Sequence, residues 1–538
     1  MNFISILGLV AMLLCAWALS YHRTQVKMRP IFWGMGLQLL FGIIILKGGM
    51  PGSVAMTLFA GLLAVFVLRE DPLLKGSPAL RYLALSFFAL AAGCLFYFLN
   101  NLLPLWILLL IFLAFLIANP LFLRWAPWQP RVAGLLIIAG MAYLIAENIT
   151  GKMLFDRFSD SVKYFLSLSD YGAEFMFGNQ HFSEKANEFF PGFGVMFAFK
   201  VLPTIIFFGG FMSVMYYLGV VQKVIGAMSH FVRWTLGTSG AESLSCTANI
   251  FVGQTEAPLL VKPFLGEMTN SELLTVMVGG FATIAGGVLA GYISFGVDAG
   301  NLIAASVMSA PAALVIAKII YPELGHSKTA GDVALPEIDT GENILEAAAL
   351  GISDGFKLAL NVGAMLIGFI ALIALLDVML NWVDGWVDHR IWGGEYVEYA
   401  VNSGLSPVTG EYSGIFPGSL KTLFGTVLSP LAWLMGVPWE DAGAVGNLLG
   451  MKLTLNEFVA YGSLGNYIHT GALGERAVVI STFALCGFAN FSSIGIQLGG
   501  ISALVPERRT DLAKVVFKAM LGGALASWTT ACIAGIFL

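Results

Sequence analysis

The sequence predicts an all-α polytopic membrane protein with about 12 transmembrane helices. Of its 538 residues, 58% are hydrophobic and only 11% are charged, and the mean hydropathy is +0.82. A soluble domain carries about 25% charged residues, so the composition excludes a soluble fold. The net charge is −5 and no basic run is present, so we expect no nucleic-acid partner. The five cysteines are scattered without metal spacing, and no cofactor is expected.

Six apolar runs occupy the first 148 residues of the chain. They lie at 2–20, 30–47, 53–68, 79–99, 102–123 and 132–148. Each is long enough, or nearly so, to cross about 30 Å of hydrocarbon. The first run has no basic lead-in and no cleavage-site pattern, so we expect a membrane helix there rather than a signal peptide.

Basic residues fall in alternate connections between these runs. The first, third and fifth connections contain Arg23, Lys27, Arg29, Arg69, Lys75, Arg81, Arg124 and Arg131. The second and fourth contain only Lys47. Because cytoplasmic loops are enriched in Lys and Arg, we expect the N-terminus on the outer side of a bacterial-type inner (plasma) membrane. The same alternation, continued through the later spans, also places the C-terminus outside.

A surface helix and a re-entrant segment are predicted next. Residues 149–190 are polar and mixed, with apolar residues at helical spacing, which is typical of an amphipathic helix on the outer surface. Residues 191–219 are expected to cross inward, and residues 221–236 to lie along the inner face. The run 241–266 has a polar centre, which favours a hairpin of two short helical arms over a plain span. Two spans follow, at 271–294 and 300–320.

The last third of the chain contains a linker, an outer loop and a second hairpin. Residues 322–345 are rich in Pro, Gly and acids and predict a cytoplasmic linker. A surface helix near 343–354 and a span at 356–380 come next, and residues 381–417 predict an outer loop. The second hairpin is expected at 418–463, entering from the opposite side. The final spans are expected at 473–499 and 511–537.

Two polar stretches share one pattern and indicate an internal duplication. Asn249-x-Phe251-Val252 matches Asn456-x-Phe458-Val459, and a Gly-Phe-Ala triplet lies 31 residues after each asparagine. The first stretch ends in Glu256, whose charge at membrane depth would cost roughly 2.5–3.5 kcal/mol, so a functional role is expected. Paired broken segments at corresponding positions are typical of the substrate site of an inverted-repeat secondary transporter.

Four segments carry a resemblance to a known family: Asn249–Pro258, Gly279–Tyr292, Asn456–Tyr461 and Leu485–Gly495. They resemble the signature segments of the concentrative nucleoside transporters. The resemblance covers about 150–538, since similar flanking runs lie at Val201–Gly219, Leu358–Ile367 and Gly436–Trp439. Residues 28–47 resemble the family's second core helix, and about four additional spans at 53–148 follow it.

The resemblance implies a scaffold that forms a homotrimer and a mobile transport unit with two opposed re-entrant helical hairpins. The segments are then N-terminal helices, part scaffold and part insertion (1–148), outer amphipathic and scaffold helices (149–220), first repeat (221–321), linker (322–345), interfacial and scaffold helices (346–380), outer loop (381–417) and second repeat (418–538). Membrane lipid is an expected partner.

The resemblance also implies a nucleobase site at the first hairpin tip. Gln254, Thr255 and Glu256 would face the base, and such amide and carboxylate groups supply the donors and acceptors that a base edge needs. Val288 and Phe488 would close on the base faces, where the aromatic ring offers a stacking surface. The alternative for Gln254 and Thr255 is that they cap a broken helix.

Three further residues match the family's ribose-binding positions: Glu457, Asn490 and Ser493. A carboxylate that accepts from two hydroxyls makes a strong sugar clamp, because charge-assisted hydrogen bonds are roughly twice as strong as neutral ones. Asn490 and Ser493 could instead be interhelical hydrogen-bonding residues, which are common in membrane bundles.

The resemblance places a sodium site between the first hairpin and the helix after it. Its ligands would be main-chain oxygens of Asn249 and Val252, with Thr283 and Ile284 opposite. Unwound backbone carbonyls and a hydroxyl suit a hard cation.

The function implied by the resemblance is a symporter that imports uridine, other pyrimidine nucleosides and possibly purine nucleosides with a sodium gradient. Proton coupling is the main alternative. An intramembrane enzyme acting on a nucleotide-linked lipid, with Glu256 and Glu457 as paired carboxylates, is a second alternative, and a nucleoside receptor is a third. The absence of a phosphate-cradling loop or an activated nucleophile in the sequence argues against the enzyme.

Overall fold

The structure is a computed structural model that describes residues 2–69, 129–178, 197–325, 327–329, 331, 341–391 and 418–538. The expected spans at 79–99 and 102–123 and most of the expected outer loop lie outside these residues. The chain forms two compact units, Leu39–Phe158 and a larger one made of Met1–Gln38 and Ser159–Leu538. Every regular element in the described residues is helical, which confirms the all-α prediction.

The first four helices are α1 (Asn2–Ala18), α2 (Met28–Leu46), α3 (Gly49–Leu68) and α4 (Gln129–Ala146). Within the unit Leu39–Phe158, α3 packs against α4. Gly134 permits this approach, since a Cβ atom there would lie 3.0 Å from the Leu68 side chain. The C-terminal part of α2 contacts α3 through an edge-to-face pair of Phe41 and Phe59, whose centroids are 5.2 Å apart.

The expected amphipathic helix is two helices, α5 (Gly151–Ser167) and α6 (Ser169–Phe177). Phe165 of α5 packs on Phe211 of the next helix, α7 (Phe197–Tyr217), with ring centroids 4.5 Å apart. Tyr171, on α6, is exposed. Phe158 of α5 is exposed as well, so the apolar residues of α5 do not all lie on the packed face.

The first repeat begins with α8 (Val220–Leu236) and continues through two short arms that meet at a non-helical tip. The arms are α9 (Gly240–Ala248) and the pair α10 (Ala257–Leu260) and α11 (Lys262–Leu265). Ser239 starts α9 with a capping box, in which its hydroxyl accepts from the Glu242 N–H. Pro258 lies at the start of the return arm. Its missing N–H costs no hydrogen bond there, because the first N–H groups of a helix have no intrahelical acceptor.

The span expected at 271–294 is broken in the structure. It consists of α12 (Asn270–Ala282) and α13 (Gly286–Ser294), separated at Thr283–Ala285. The span that closes the repeat, α14 (Ala299–Ile320), is continuous and almost entirely buried. Its N-terminus is tied to α5, because Lys163 and Asp298 form an ion pair at 3.3 Å.

A single helix of 41 residues, α15 (Ile344–Asp384), replaces the expected surface helix and separate span. It lies along α7, and the approach depends on glycine: a Cβ atom at Gly355 would lie 3.0 Å from the Ile206 backbone. Small residues at such contacts let two helix backbones come close in a membrane. The expected boundary near residues 354–356 does not interrupt the helix, and no proline lies there.

The region of the expected second hairpin contains a bent helix pair followed by a non-helical tip. After α16 (Leu420–Leu434) the chain turns by 115° into α17 (Trp439–Thr454), and the tip comes at Leu455–Asn456 before α18 (Glu457–Thr470). The expected range 418–463 contains α16, α17, this tip and the first half of α18, whose last residue is Thr470. Gly436, at φ +99°, and Pro438 end α16, a break that the apolar pattern alone does not show.

The final span expected at 473–499 is also broken, between α19 (Glu475–Leu485) and α20 (Phe491–Leu504), and α21 (Arg509–Phe537) ends the chain. The two broken helices correspond at the offset of 207 residues that separates Asn249 from Asn456. Both α12 and α19 pack against α21, so the helices of the two repeats form one core.

Six segments in the described residues are each long and apolar enough to cross a membrane, and the broken segment Asn270–Ser294 is one of them. The bent pair α16 and α17 would be a seventh. This count agrees with a polytopic membrane protein.

Candidate functional site

The two broken helices touch at their breaks. The Phe488 N–H donates to the Thr283 main-chain oxygen at 3.3 Å. Gly487 has φ +129°, and a Cβ atom there would lie 2.7 Å from the Phe281 oxygen. Only glycine is compatible with both that conformation and that approach. The unwound backbone of both repeats therefore meets at one place.

The first hairpin tip contacts the second broken helix through Gln254. Its amide nitrogen donates to the Ser493 hydroxyl at 3.1 Å, and its oxygen accepts from the Gln497 amide nitrogen at 3.1 Å. Ser493 and Gln497 are four residues apart on α20, so they share one face of that helix. All three side chains are buried, which strengthens these bonds relative to bonds in water.

The second hairpin tip places its carboxylate against both broken helices. Glu457, at the start of α18, is only 5% exposed. One oxygen accepts from the Tyr292 hydroxyl at 3.1 Å and the other from the Asn490 amide nitrogen at 3.2 Å. Tyr292 belongs to α13 of the first repeat and Asn490 to the break of the second, so Glu457 joins the repeats. A buried carboxylate with two donors is a good acceptor for ligand hydroxyls.

Asn490 completes the connection between the two tips. Its side-chain oxygen accepts from the Ser493 N–H at 2.8 Å and so caps α20. The bonds run from Gln254 through Ser493 and Asn490 to Glu457. Four of the eight predicted substrate residues thus lie in one hydrogen-bond network that spans both repeats. The capping role does not exclude a binding role, since the Asn490 nitrogen faces Glu457.

The other predicted substrate residues have different surroundings. Val288 is buried on α13, one turn before Tyr292 and on the same face, and Phe488 lies in the break beside Asn490. Thr255 and Glu256 are exposed at the first tip. The Glu256 carboxylate accepts from the Gly253 N–H of its own tip, so in this conformation it binds its own loop rather than the network.

The predicted sodium ligands lie on two segments that touch. The Gly286 N–H donates to the Phe251 oxygen at 3.1 Å, which brings the break before α13 against the tip after α9. The main-chain oxygens of Asn249 and Val252 receive no hydrogen bond from any residue that the structure describes. The side-chain oxygen of Asn249 is buried and likewise has no hydrogen-bond partner in the described part of the chain.

These orphaned oxygens fit a small hard cation. Buried acceptors without donors are costly unless an ion or water satisfies them. Thr283 Oγ1 donates to the Gly279 oxygen at 2.9 Å and retains lone pairs that can coordinate a cation, while Ile284 is buried beside it. Within the described part of the chain, no group of three His, Cys, Asp or Glu side chains could hold a metal ion.

Sequence reasoning missed Tyr292, Gln497 and Lys452. The first two lie four residues after Val288 and Ser493, so the helical repeat of 3.6 residues was a signal that could have identified them. Lys452, on α17, is 0% exposed and donates to the Ala484 oxygen at 3.1 Å. A lysine in an apolar run is itself a signal, because a buried charge in a membrane is costly.

Three family models match the chain in order. The model for the Na+ dependent nucleoside transporter N-terminus matches residues 7–67, one described as nucleoside recognition matches 198–299, and the model for the Na+ dependent nucleoside transporter C-terminus matches 301–535. The N-terminal match includes most of α3, so this helix belongs to the matched region rather than to additional sequence.

An uncharacterized transporter of Haemophilus influenzae is 43% identical over 414 residues, which cover 76% of this chain and 91% of that protein. The chain belongs to the concentrative nucleoside transporter family. Sodium/nucleoside cotransporter 1 of mouse is 41% identical over 440 residues, and that of rat is 42% identical over 441 residues. Each match covers 79% of this chain but only 62% of the mammalian protein.

Solved structures agree with this family assignment. The chain matches a structure of CNTnw in an inward-facing substrate-bound state with a TM-score of 0.71 and 32% identity, covering 100% of this chain and 98% of the other. A structure of a CNTnw variant in an outward-facing state matches with the same TM-score, 31% identity, and coverage of 100% and 97%. The likeness therefore shows the fold and does not distinguish between the two states. Since these relatives are transporters, the interpretation of the chain as an intramembrane enzyme is set aside.

Proposed function

We propose that this protein is a secondary active symporter that imports nucleosides with a sodium gradient. The observation that carries the proposal is the buried network from Gln254 through Ser493 and Asn490 to Glu457, which joins the two hairpin tips at the crossing of the broken helices. In transporters with inverted repeats, the substrate binds where discontinuous helices of the two repeats meet. The families and relatives reported above support nucleoside as the substrate class.

The chemistry of the network suits a nucleoside at both of its ends. Gln254 and its neighbours on the first tip provide amide, hydroxyl and carboxylate groups for a base edge, and Phe488 provides an aromatic surface. Glu457 and Asn490 provide a charged acceptor and a donor for ribose hydroxyls. A site built from such buried polar groups rejects analogues that lack the matching atoms, because the site's own groups would stay unpaired.

Sodium is the coupling ion in this proposal, bound by the main-chain oxygens of Asn249 and Val252 with Thr283 and Ile284. These ligands hold the first tip against the break before α13, where the Gly286 N–H already contacts the Phe251 oxygen. Sodium there would order the tip that carries Gln254, so each ligand would raise the affinity for the other by the same factor. Thr255 and Glu256 would join the site as the tip becomes ordered.

Transport would follow by alternating access. The hairpins and broken helices form the mobile unit, and α7 and α15 belong to the scaffold. The long exposed apolar face of α15, which includes Leu345, Ile367 and Trp382, is available for lipid or for other protomers of the homotrimer. We place the protein in the inner membrane with both termini outside, as the distribution of basic residues predicts.

Uptake into proteoliposomes tests the proposal. Saturable uridine uptake is expected with an inward sodium gradient and is expected to stop when choline replaces sodium. Uptake that is independent of sodium but stops when the proton gradient is dissipated would show that protons are the coupling ion instead. Nucleoside binding without any flux would support the receptor instead. Absence of both flux and binding, for purine and pyrimidine nucleosides alike, would overturn the proposal.

A further inference from the structure

Gln497 connects three elements of the site. It lies on α20, is 1% exposed, and uses its amide nitrogen for two hydrogen bonds. One goes to the Gln254 side-chain oxygen at 3.1 Å and the other to the Met277 main-chain oxygen on α12 at 3.2 Å. The side chain thus joins the first hairpin tip to both broken helices.

The partners of Gln497 determine which way both amides point. A main-chain carbonyl can only accept, so the Gln497 nitrogen must face Met277. The same nitrogen faces Gln254, which therefore turns its oxygen toward Gln497. The Gln254 nitrogen then points to Ser493, where it donates at 3.1 Å. The donor face of Gln254 is set by Gln497 and not by Ser493, whose hydroxyl can donate or accept.

We propose that Gln497 is a positioning residue that sets nucleobase selectivity by holding the Gln254 amide with its NH2 group toward Ser493. This inference rests on the proposed nucleoside site. Uridine presents a carbonyl at the ring position where cytidine presents an amino group. A fixed NH2 donor on the protein therefore favours a uridine-type base edge, and a rotated amide would favour a cytidine-type edge.

Two features distinguish this role from simple helix packing. The Gln497 oxygen is buried and has no hydrogen-bond partner among the residues that the structure describes, so the hydrogen bonds of this side chain come from its NH2 group. Its position also depends on Gly280, because a Cβ atom there would lie 2.6 Å from the Gln497 nitrogen and 3.1 Å from Gln254 Cβ. A glycine inside α12 makes that helix less stable than an alanine would, and here it makes room for the two amides.

The test compares uridine and cytidine binding by calorimetry in saturating sodium. Gln497→Met removes the donor at similar size and is expected to weaken uridine binding about fivefold, the effect of one neutral hydrogen bond, and cytidine binding less. Gln497→Glu replaces the donor by an acceptor and should shift the uridine-to-cytidine Kd ratio further in the same direction. The matched control is Gln38→Met: Gln38 is also fully buried, donates to the Gly34 oxygen of its own helix, and has an unpartnered side-chain oxygen.

The outcomes separate the inference from the proposed function. A Kd ratio that rises in the Gln497 variants and not in Gln38→Met supports the positioning role. Equal weakening of both nucleosides, or no weakening, overturns it, since loss of packing alone would do the same. If Gln497→Glu does not fold, the ratio in Gln497→Met decides. Failure of the wild-type protein to bind either nucleoside contradicts the proposed function before any variant is compared.

Discussion

Glu457→Gln is the substitution that most directly tests the ribose clamp. In the structure the carboxylate uses one oxygen for the Tyr292 hydroxyl at 3.1 Å and the other for the Asn490 amide at 3.2 Å. Glutamine has the same size and satisfies both neighbours in a single orientation. Its oxygen can accept from Asn490, and its NH2 can donate to the tyrosine oxygen. The fold and the network around the site should therefore survive.

The substitution is expected to weaken nucleoside binding rather than the fold. Hydrogen bonds to charged groups contribute about 1.5–3 kcal/mol each, and neutral ones about 1 kcal/mol. Replacing the carboxylate by an amide should thus cost about 1–2 kcal/mol of nucleoside binding, or about 5- to 30-fold in Kd. A ribose hydroxyl must make the lost contact, so a deoxynucleoside that lacks this hydroxyl should bind wild type and variant more equally.

The assay is calorimetric titration of wild type and Glu457→Gln with uridine and with its 2′- and 3′-deoxy analogues. Glu440→Gln is a matched control, because it removes the same charge at an exposed position in the first turn of α17. Thermal unfolding of each variant checks the fold. Wild-type uridine affinity in a folded Glu457→Gln protein would refute the assignment. An equal loss for uridine and both deoxy analogues would show that Glu457 does not contact the ribose.

Three further substitutions test separate parts of the site. Tyr292→Phe removes the hydroxyl that orients Glu457 and should weaken uridine binding about fivefold with the fold intact; unchanged affinity would contradict that orienting role. Thr283→Val should raise the sodium concentration for half-maximal uptake about tenfold, whereas Thr283→Ser should not; equal sodium dependence would remove this hydroxyl from the sodium site. Gly487→Ala should destabilise the protein by about 1–3 kcal/mol in thermal unfolding, because of its positive φ and the close backbone opposite it. Gly499→Ala, where a Cβ atom meets nothing within 4 Å, is its control, and equal stability of the two would argue against the tight crossing.

The membrane class and the repeat could be predicted because both depend on local sequence patterns. The length of an apolar run shows directly whether it can cross the hydrocarbon core of a membrane. Matching polar residues at a constant sequence separation, such as Asn249 and Asn456, indicate an internal duplication whatever the tertiary structure is. The capping of α20 by Asn490 is a local effect of the same kind, since it involves residues three apart.

The boundaries of the helices could be predicted less well from the sequence. Hydropathy does not distinguish one span from two half-helices, so the breaks at Thr283–Ala285 and before Phe491 were not expected. The place of the 115° turn between α16 and α17 was not visible in the sequence either, because Gly436 and Pro438 lie within a mostly apolar run. The backbone conformation of a few residues determines where these helices break, and mean hydropathy does not show it.

The sequence by itself determined a polytopic helical membrane protein with a duplicated polar core, and its resemblance to a known family identified Gln254, Glu457, Asn490 and Ser493 as candidates. Only the tertiary structure decided that these four form one network, that Tyr292 and Gln497 complete it, and that Glu256 turns back to its own tip. Network membership depends on distances between residues as far apart as 243 positions, Gln254 and Gln497. Contacts of that kind arise when the two repeats pack against each other, and a local pattern does not report them.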